Sequence, residues 1–499
     1  MLKPLVLLSP ALIGSFVSCA APVPAVSDPL EGLDPVWSSP EASQGFALLA
    51  ELGSPELEEL IAEALGGGSP DLRAAGARME ASAALAGAAE GALWPSLGLD
   101  LQNSRSTRNL RTFGIDIPPG VDPITTVNAV SGAFAASWEL DAWGRIRETV
   151  EAAEQDLAVG YWDLEAARVS LAGQLVRGWF ALGEARAQRS LAERTLASWR
   201  RSEEQLRQRF EAGVGRALDL HLLRTSVATA EAGLEAAREA EQLALRALEA
   251  LAGRVAEGSL EAGAVLLSDV PQAPSSIDAT ALGLRPDLRA AESRTAAELA
   301  RASVARTELW PRISFTATTG WTGTEAEHVG DPDFSVWSFV GGVTAPLFQG
   351  GALRARVQAA DSAVRAALAT WEGLVLRACA EVERSRIRMG ASDLRHAALV
   401  RAGEEAIAAE GLATEQYEAG LVGIIEVLEA QRRRLSVESE VLRVLRERYD
   451  ARVDLWLALG GHGVASCACC SGGGSTDAQD AAGGEGAGDP DGGVVEEDA

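Results

Sequence analysis

Positive charge is scarce in this chain: 44 lysines and arginines stand against 71 aspartates and glutamates, a formal net charge of −27 over 499 residues. A phosphate backbone requires the opposite sign, so nucleic acid is excluded as a partner. Histidine is rarer still, with only His221, His328, His396 and His462. None is spaced from a serine or cysteine for nucleophilic work, and neither a phosphate-cradling glycine loop nor an H-E-x-x-H pair occurs. The expectation is a protein with no catalytic residue, cofactor or metal site. Five cysteines make no disulfide framework. Cys379 falls inside a long helical pattern and reads as a buried small residue. Cys467, Cys469 and Cys470, with His462 nearby, lack the second ligand pair of a metal site. Past the N-terminus no run of about 18 apolar residues occurs, so any membrane crossing must use strands.

The first residues carry an address. Lys3 precedes a short apolar stretch from Leu5 to Gly14, and Phe16-Val17-Ser18-Cys19 follows like a lipoprotein cleavage box. Residues 1–18 read as the signal peptide and Cys19 as the lipidated first residue of the mature chain. Ala20 beside it resembles lipoproteins sent on to the outer membrane. Residues 19–55 read as an extended leader. At the other end, residues 462–499 form an acidic tail with eight acids and no base after Ser471, a composition that resists packing.

Between these ends the chain states one pattern twice. A helix from about residue 56, restarted by Ser69-Pro70-Asp71, stops at Leu93-Trp94-Pro95. Leu97, Leu99 and Leu101 then alternate with Ser96, Gly98, Asp100 and Gln102, the period of a strand with one apolar face. Strands are placed at about 95–107 and 130–141, with a loop over 104–127. A helix follows over about 144–210, with a seam through Ile146, Val150, Ala153, Leu157, Tyr161, Leu164, Leu171, Leu175, Trp179 and Leu182. At about 1.5 Å per residue it is on the order of 100 Å long. Gly213 and Gly215 break it, and a return helix completes a first unit over 56–253.

After a linker at 254–281 the unit recurs over 282–461. Pro70-Asp-Leu-Arg-Ala-Ala75 returns as Pro286-Asp-Leu-Arg-Ala-Ala291, and Trp94-Pro95 as Trp310-Pro311, both at an offset of 216. Gly144 and Gly351, and Phe210-Glu-Ala-Gly213 and Tyr417-Glu-Ala-Gly420, are 207 apart, so the first strand hairpin is the longer one. The second unit places strands at about 311–322 and 334–348 and its long helix at about 352–416. In each unit the two short helices together match the long one, so they can stack end to end beside it. The fold class is mainly α with a β-barrel part. Four strands cannot close a barrel, since the smallest bacterial ones have about eight, and open edges in lipid cost several kcal/mol per unpaired group. Several copies must therefore share one barrel, with a helical tube of the same symmetry below it.

Five stretches resemble the TolC-like outer-membrane efflux family, in its lipoprotein branch: Trp138-Glu-Leu-Asp-Ala-Trp-Gly-Arg145, Arg285-Pro-Asp-Leu288, Ala345-Pro-Leu-Phe-Gln-Gly-Gly351, Ile425-Glu-Val-Leu-Glu-Ala-Gln431 and Leu457-Ala-Leu-Gly460. They run in this order through about residues 66–461. The resemblance implies a homotrimer with a twelve-stranded barrel in outer-membrane lipid and a periplasmic helical tunnel. It would be the exit duct of a tripartite efflux pump or of a type I secretion system, joined by a periplasmic adaptor protein to an inner-membrane transporter. It also implies that Gly213, Val214, Gly215 and Arg216, and Gly420, Leu421, Val422 and Gly423, are the tips that dock the adaptor. Glu410, Glu415 and Glu418, close to the second tip, would belong to the periplasmic aperture. The rival reading is a non-conducting coiled-coil lipoprotein that spans the periplasm as a structural spacer, for which four amphipathic strands have no use.

Overall fold

Two helices of 67 residues each set the length of the molecule. The computed structural model describes residues 54–461 except 110, 111, 113, 115–117, 119, 121, 261–262, 265–269 and 271–278. Cys19, the signal and leader segments and the acidic tail lie outside the described residues. The elements are α1 (Pro55–Glu63), α2 (Pro70–Gly91), β1 (Ser96–Asn109), β2 (Ile124–Leu140), α3 (Arg145–Glu211), α4 (Ala217–Leu251), α5 (Pro286–Thr307), β3 (Arg312–Gly323), β4 (Ser335–Thr344), α6 (Ala352–Glu418) and α7 (Ile424–Ala458). Prolines open α1, α2 and α5, where a missing N–H costs nothing.

The repeat is visible in the lengths. Lead-in helices α2 and α5 are 22 residues each, and return helices α4 and α7 are 35 each. Both α2 and α4 pack along α3, and both α5 and α7 pack along α6. In addition α3 packs on α5 and α7, so the wall runs in the order α2/α4, α3, α5/α7, α6. Helix α3 is thus flanked on two sides and α6 on one.

Three apolar clusters hold this wall. One joins Leu60, Leu72, Leu175, Trp179, Leu248 and Trp456 where the stacked short helices meet, with Phe180 stacked on Tyr449 at 3.9 Å. A second joins Leu288, Val382, Met389 and Leu455 at the matching level of the second unit. The third gathers Leu196, Trp199, Leu206, Leu223 and Val427 near the far ends of the long helices. The expected α3 seam needs one correction. Ile146, Val150, Leu164, Leu171, Leu175, Trp179 and Leu182 are buried, but Tyr161 is 46% exposed. A 3.5-residue seam drifts about 20° per heptad around a 3.6-residue helix, and by Tyr161 it has turned outward. Cys379 is half-buried beside the second cluster rather than enclosed.

Candidate functional site

The four strands form one antiparallel sheet in the order β1-β2-β3-β4, so β1 and β4 are both open edges. Its register sorts the alternation seen in the sequence. Leu99 faces Phe134, Ala136 faces Ala317, Trp138 faces Phe315, and Thr319 faces Trp337. Directly opposed residues share a face, so Leu97, Leu99, Leu101, Phe134, Trp138, Phe315, Trp337 and Phe339 cover one side. The other side carries Ser96, Asp100, Gln102, Ser131, Ser137, Thr316, Thr318 and Ser338, with hydroxyl pairs Ser96–Ser137 at 2.8 Å and Thr318–Ser338 at 2.7 Å. Strands of 10 to 17 residues exceed the roughly 9–11 that span a bilayer when tilted. Among the described residues no helix is long and apolar enough to cross a membrane. One greasy and one wet face, with Leu97 75% and Trp337 81% exposed, suit a sheet with lipid on one side and water on the other.

Strand β2 passes into α3 at a corner where almost every residue has a task. Asp141 accepts hydrogen bonds from the backbone N–H groups of Ile146 and Arg147, both at 3.0 Å, and from Arg147 Nε at 3.2 Å. Partial burial works against its charge, but the helix N-terminal N–H groups and Arg147 outweigh that and hold the carboxyl below its usual range. Glu139 takes Arg145 bidentately, both contacts at 2.9 Å. Trp138 Nε1 donates to the Leu93 carbonyl at 3.0 Å, and Trp143 stacks on Trp310 at 5.4 Å. Gly144 sits at φ +82°, a conformation a side chain would resist. The second corner has Gly351 at φ +85° but no acid in the first turn of α6, and it leaves Leu347 95% and Phe348 88% exposed.

At the opposite end both long helices stop in the same way. Gly213 N–H donates to Phe210 O at 2.9 Å and Val214 N–H to Arg209 O at 3.0 Å. Gly420 N–H donates to Tyr417 O at 3.0 Å and Leu421 N–H to Gln416 O at 2.8 Å. This paired bonding is a Schellman stop, which explains the positive φ of Gly213 and Gly420. A Cβ on Gly215 would lie 2.8 Å from Phe210 N, so that position is closed to larger residues. The turns present Val214, 72% exposed, and Leu421, 76% exposed, as two apolar knobs. Arg216 and Gly423 are the exposed residues that start α4 and α7, and Val422 is half-buried between. The Arg209 guanidinium lies over the Tyr417 ring at 5.3 Å and ties the first tip to the second.

The three glutamates near the second tip are not equivalent. Glu410 is half-buried in an ion pair with Arg434 of α7, which also binds Glu438 at 3.1 Å. Glu415 and Glu418 are exposed. Reading all three as one group fails because helical spacing alone does not reveal which face a neighbouring helix covers. In the β3–β4 connection Glu325, Glu327 and His328 bring ligand-type atoms within 4.8 Å of one another, a juxtaposition the sequence did not suggest. The His328 ring stacks on Phe334 at 3.9 Å and its Nδ1 accepts from the Glu325 N–H at 3.3 Å, which closes the turn.

Comparison with known proteins gives these features a context. A family model described as outer membrane efflux protein matches residues 60–254 and 279–461. The pyoverdine export outer membrane protein OpmQ of Pseudomonas putida is 28% identical over 456 residues, covering 90% of this chain and 95% of that protein. Outer membrane protein OprJ of Pseudomonas aeruginosa is 30% identical over 371 residues, 72% of this chain and 75% of that protein. Among solved structures, the outer-membrane channel OprN superposes with a TM-score of 0.75 at 28% identity, covering 85% of this chain and 94% of that one.

Proposed function

This chain belongs to the outer membrane efflux protein family, and we propose that three copies of it close head to tail into a single conduit through the outer membrane and the periplasm. It is an outer-membrane exit channel for a tripartite efflux assembly, with a sheet in the membrane and a helical tunnel in the periplasm. Conduction is passive, since none of the described residues are arranged for chemistry, and we assign the chain no enzymatic role. The observation that carries the trimer is the agreement between two sets of open sides. The sheet is open at β1 and β4, and the helical wall is open at α2/α4 and at α6. One rotation that pairs β4 with the next β1 also sets α6 beside the next α2 and α4. Two copies would give eight strands, whose interior side chains fill, whereas three give twelve and leave a lumen.

In the same proposal Val214 and Leu421 are the apolar contacts for a periplasmic adaptor, which links the tips to an inner-membrane transporter. Glu415 and Glu418, tripled by symmetry, form acidic rings near the periplasmic mouth that favour cations. The Glu410–Arg434 pair holds α6 against α7 behind them. An acyl chain on Cys19 adds a second hold on the membrane. The relatives' names mention pyoverdine and OprJ-type efflux, and export of small molecules is the reading they favour over polypeptide secretion.

The test is planar-bilayer recording on detergent-purified protein, with oligomeric mass measured on the same sample. Discrete conductance steps from a trimer are expected. A monomer that stays soluble without detergent and never conducts would overturn the reading and restore the spacer.

A further inference from the structure

We propose that the acidic tail, residues 462–499, folds back onto its own protomer and places a carboxylate in an arginine-lined cleft where α7 ends. The cleft has a volume of about 460 Å³ and lies between α3, the start of α5, the middle of α6 and the end of α7. In a chain of net charge −27 it is unusual, because Arg177, Arg285, Arg384 and Arg388 line it against Asp287, Glu381 and Asp454.

The arginines are unevenly matched. Arg285 is satisfied: it binds Asp287 bidentately at 2.8 and 3.0 Å, Glu381 at 2.9 Å and the Ala458 carbonyl at 2.9 Å. Arg177 and Arg388 share one carboxylate, that of Asp454. Arg384 is exposed and has no charged or hydrogen-bonded partner among the described residues. One more carboxylate would balance the cleft and give Arg384 the planar acceptor its guanidinium fits.

The path of the chain supplies that group. Helix α7 ends in a Schellman stop, with Gly460 N–H donating to Leu457 O and Gly461 N–H to Trp456 O, both at 3.0 Å. Gly460 and Gly461 take φ +91° and +69°, and Gly460 itself lines the cleft. Gly461 lies so close to Val169, another lining residue, that a Cβ there would come within 2.2 Å of it. The chain therefore leaves the described residues against the cleft wall. The tail that continues from there carries eight acids and no base after Ser471, the first being Asp477. Sixteen residues of glycine-rich chain reach roughly 20–24 Å, ample for a return, and hold the acids at an effective concentration of about millimolar.

The experiment is arginine footprinting with phenylglyoxal on the detergent-purified full chain, read by mass spectrometry. It is repeated on a full chain in which the eight tail acids are changed to their amides, at about 50 mM and about 0.5 M salt. In the unaltered chain at low salt, Arg384 is expected to react about fivefold more slowly than in the amide variant, and salt should erase the difference. Arg365, far from the cleft, serves as a control and should react equally in both. Equal rates at Arg384 in the two chains would overturn the proposal. Equal protection in both would do so too, since the occupant would then be a free anion. Protection that survives high salt would also contradict it.

Discussion

Helices α3 and α6 are the same length and descend from the same repeated pattern, yet they are packed differently. Helix α3 buries residues along its whole course, from Ile146 to Leu206, with Trp179, Phe180 and Trp199 among them. Helix α6 buries few large side chains, chiefly Val364, Val375, Val382 and Met389. It leaves Leu376 67%, Ile387 69%, Leu394 76% and Leu412 59% exposed. Those four recur at steps of 11, 7 and 18 residues, each within about 20° of whole helical turns, so they form one stripe. On the far side of the wall Leu85, Leu218 and Leu243 are 68%, 53% and 61% exposed on α2 and α4. The difference teaches that one protomer is an incomplete packing unit. The first long helix finds both its flanks within its own chain, and the second finds one there and needs another copy for the rest.

The sharpest way to break this contrast is to charge the α6 stripe. Leu376→Arg with Leu394→Arg should leave the helical content of the protomer unchanged but abolish the trimer, because two unpaired cations would be buried at every interface. Light scattering in detergent reads the mass; a trimer that persists would refute the contrast. The reciprocal change is in α3. Trp179→Ala removes a buried ring and should destabilise the protomer itself by about 3–5 kcal/mol, seen as an earlier helical melt by circular dichroism even in detergent monomers. An unchanged melt would mean that α3 is not the internally supported helix.

A smaller effect separates the two corners. Asp141→Ala should cost about 1–2 kcal/mol at neutral pH, whereas the second corner has no equivalent acid to lose. The sign follows from the lowered carboxyl of Asp141. Its contribution is fully present above the unfolded-state value near 4 and is lost as pH falls through the lower folded-state value. Acid titration of the melt should therefore show less loss in Asp141→Ala than in the parent chain. Identical acid curves for the two proteins would dismiss the cap. Smallest of all, Glu415→Gln with Glu418→Gln should leave mass and melt unchanged and weaken cation preference in bilayer recordings. Glu410→Gln acts differently, because it frees Arg434 and loosens the α6–α7 seam. An unaltered reversal potential in the double variant would remove the two glutamates from the aperture.

How far the sequence could be read depended on how local each signal was. The duplicated unit showed itself in letters, and the long helices, placed at about 144–210 and 352–416, run as Arg145–Glu211 and Ala352–Glu418. Glycine stops and proline starts act within a few residues, which is why those ends were legible. The outer ends of the first hairpin were not. Alternation fades in the run Ser104-Arg-Ser-Thr-Arg-Asn109, yet β1 continues through it because Asn103 to Asn109 pair in register with Ile124 to Val130. The last expected residues of β4 were lost for the opposite reason: Pro346 cannot donate to a ladder, and the strand stops at Thr344. The Glu410–Arg434 pair and the arginine cleft were invisible because each joins residues from different helices, and no spacing along the chain encodes such a meeting. By contrast, the corner residues Trp138, Glu139, Asp141 and Gly144 stood out as a motif before any of their partners could be named.

A ring of three requires the two open edges of the sheet to meet between copies, and a disulfide scan addresses that meeting. The chain would carry Asp100→Cys on β1 and one further cysteine on the same face of β4, at Ser338, Val340 or Gly342 in turn, with Cys379, Cys467, Cys469 and Cys470 changed to serine. Within a protomer β1 and β4 are three strand spacings apart, about 14 Å, too far for a disulfide to form inside one chain. At one register of the scan, oxidation is expected to yield a covalent trimer on a non-reducing gel and nothing larger. Monomers at every position, or a ladder running past three, would contradict the closed ring.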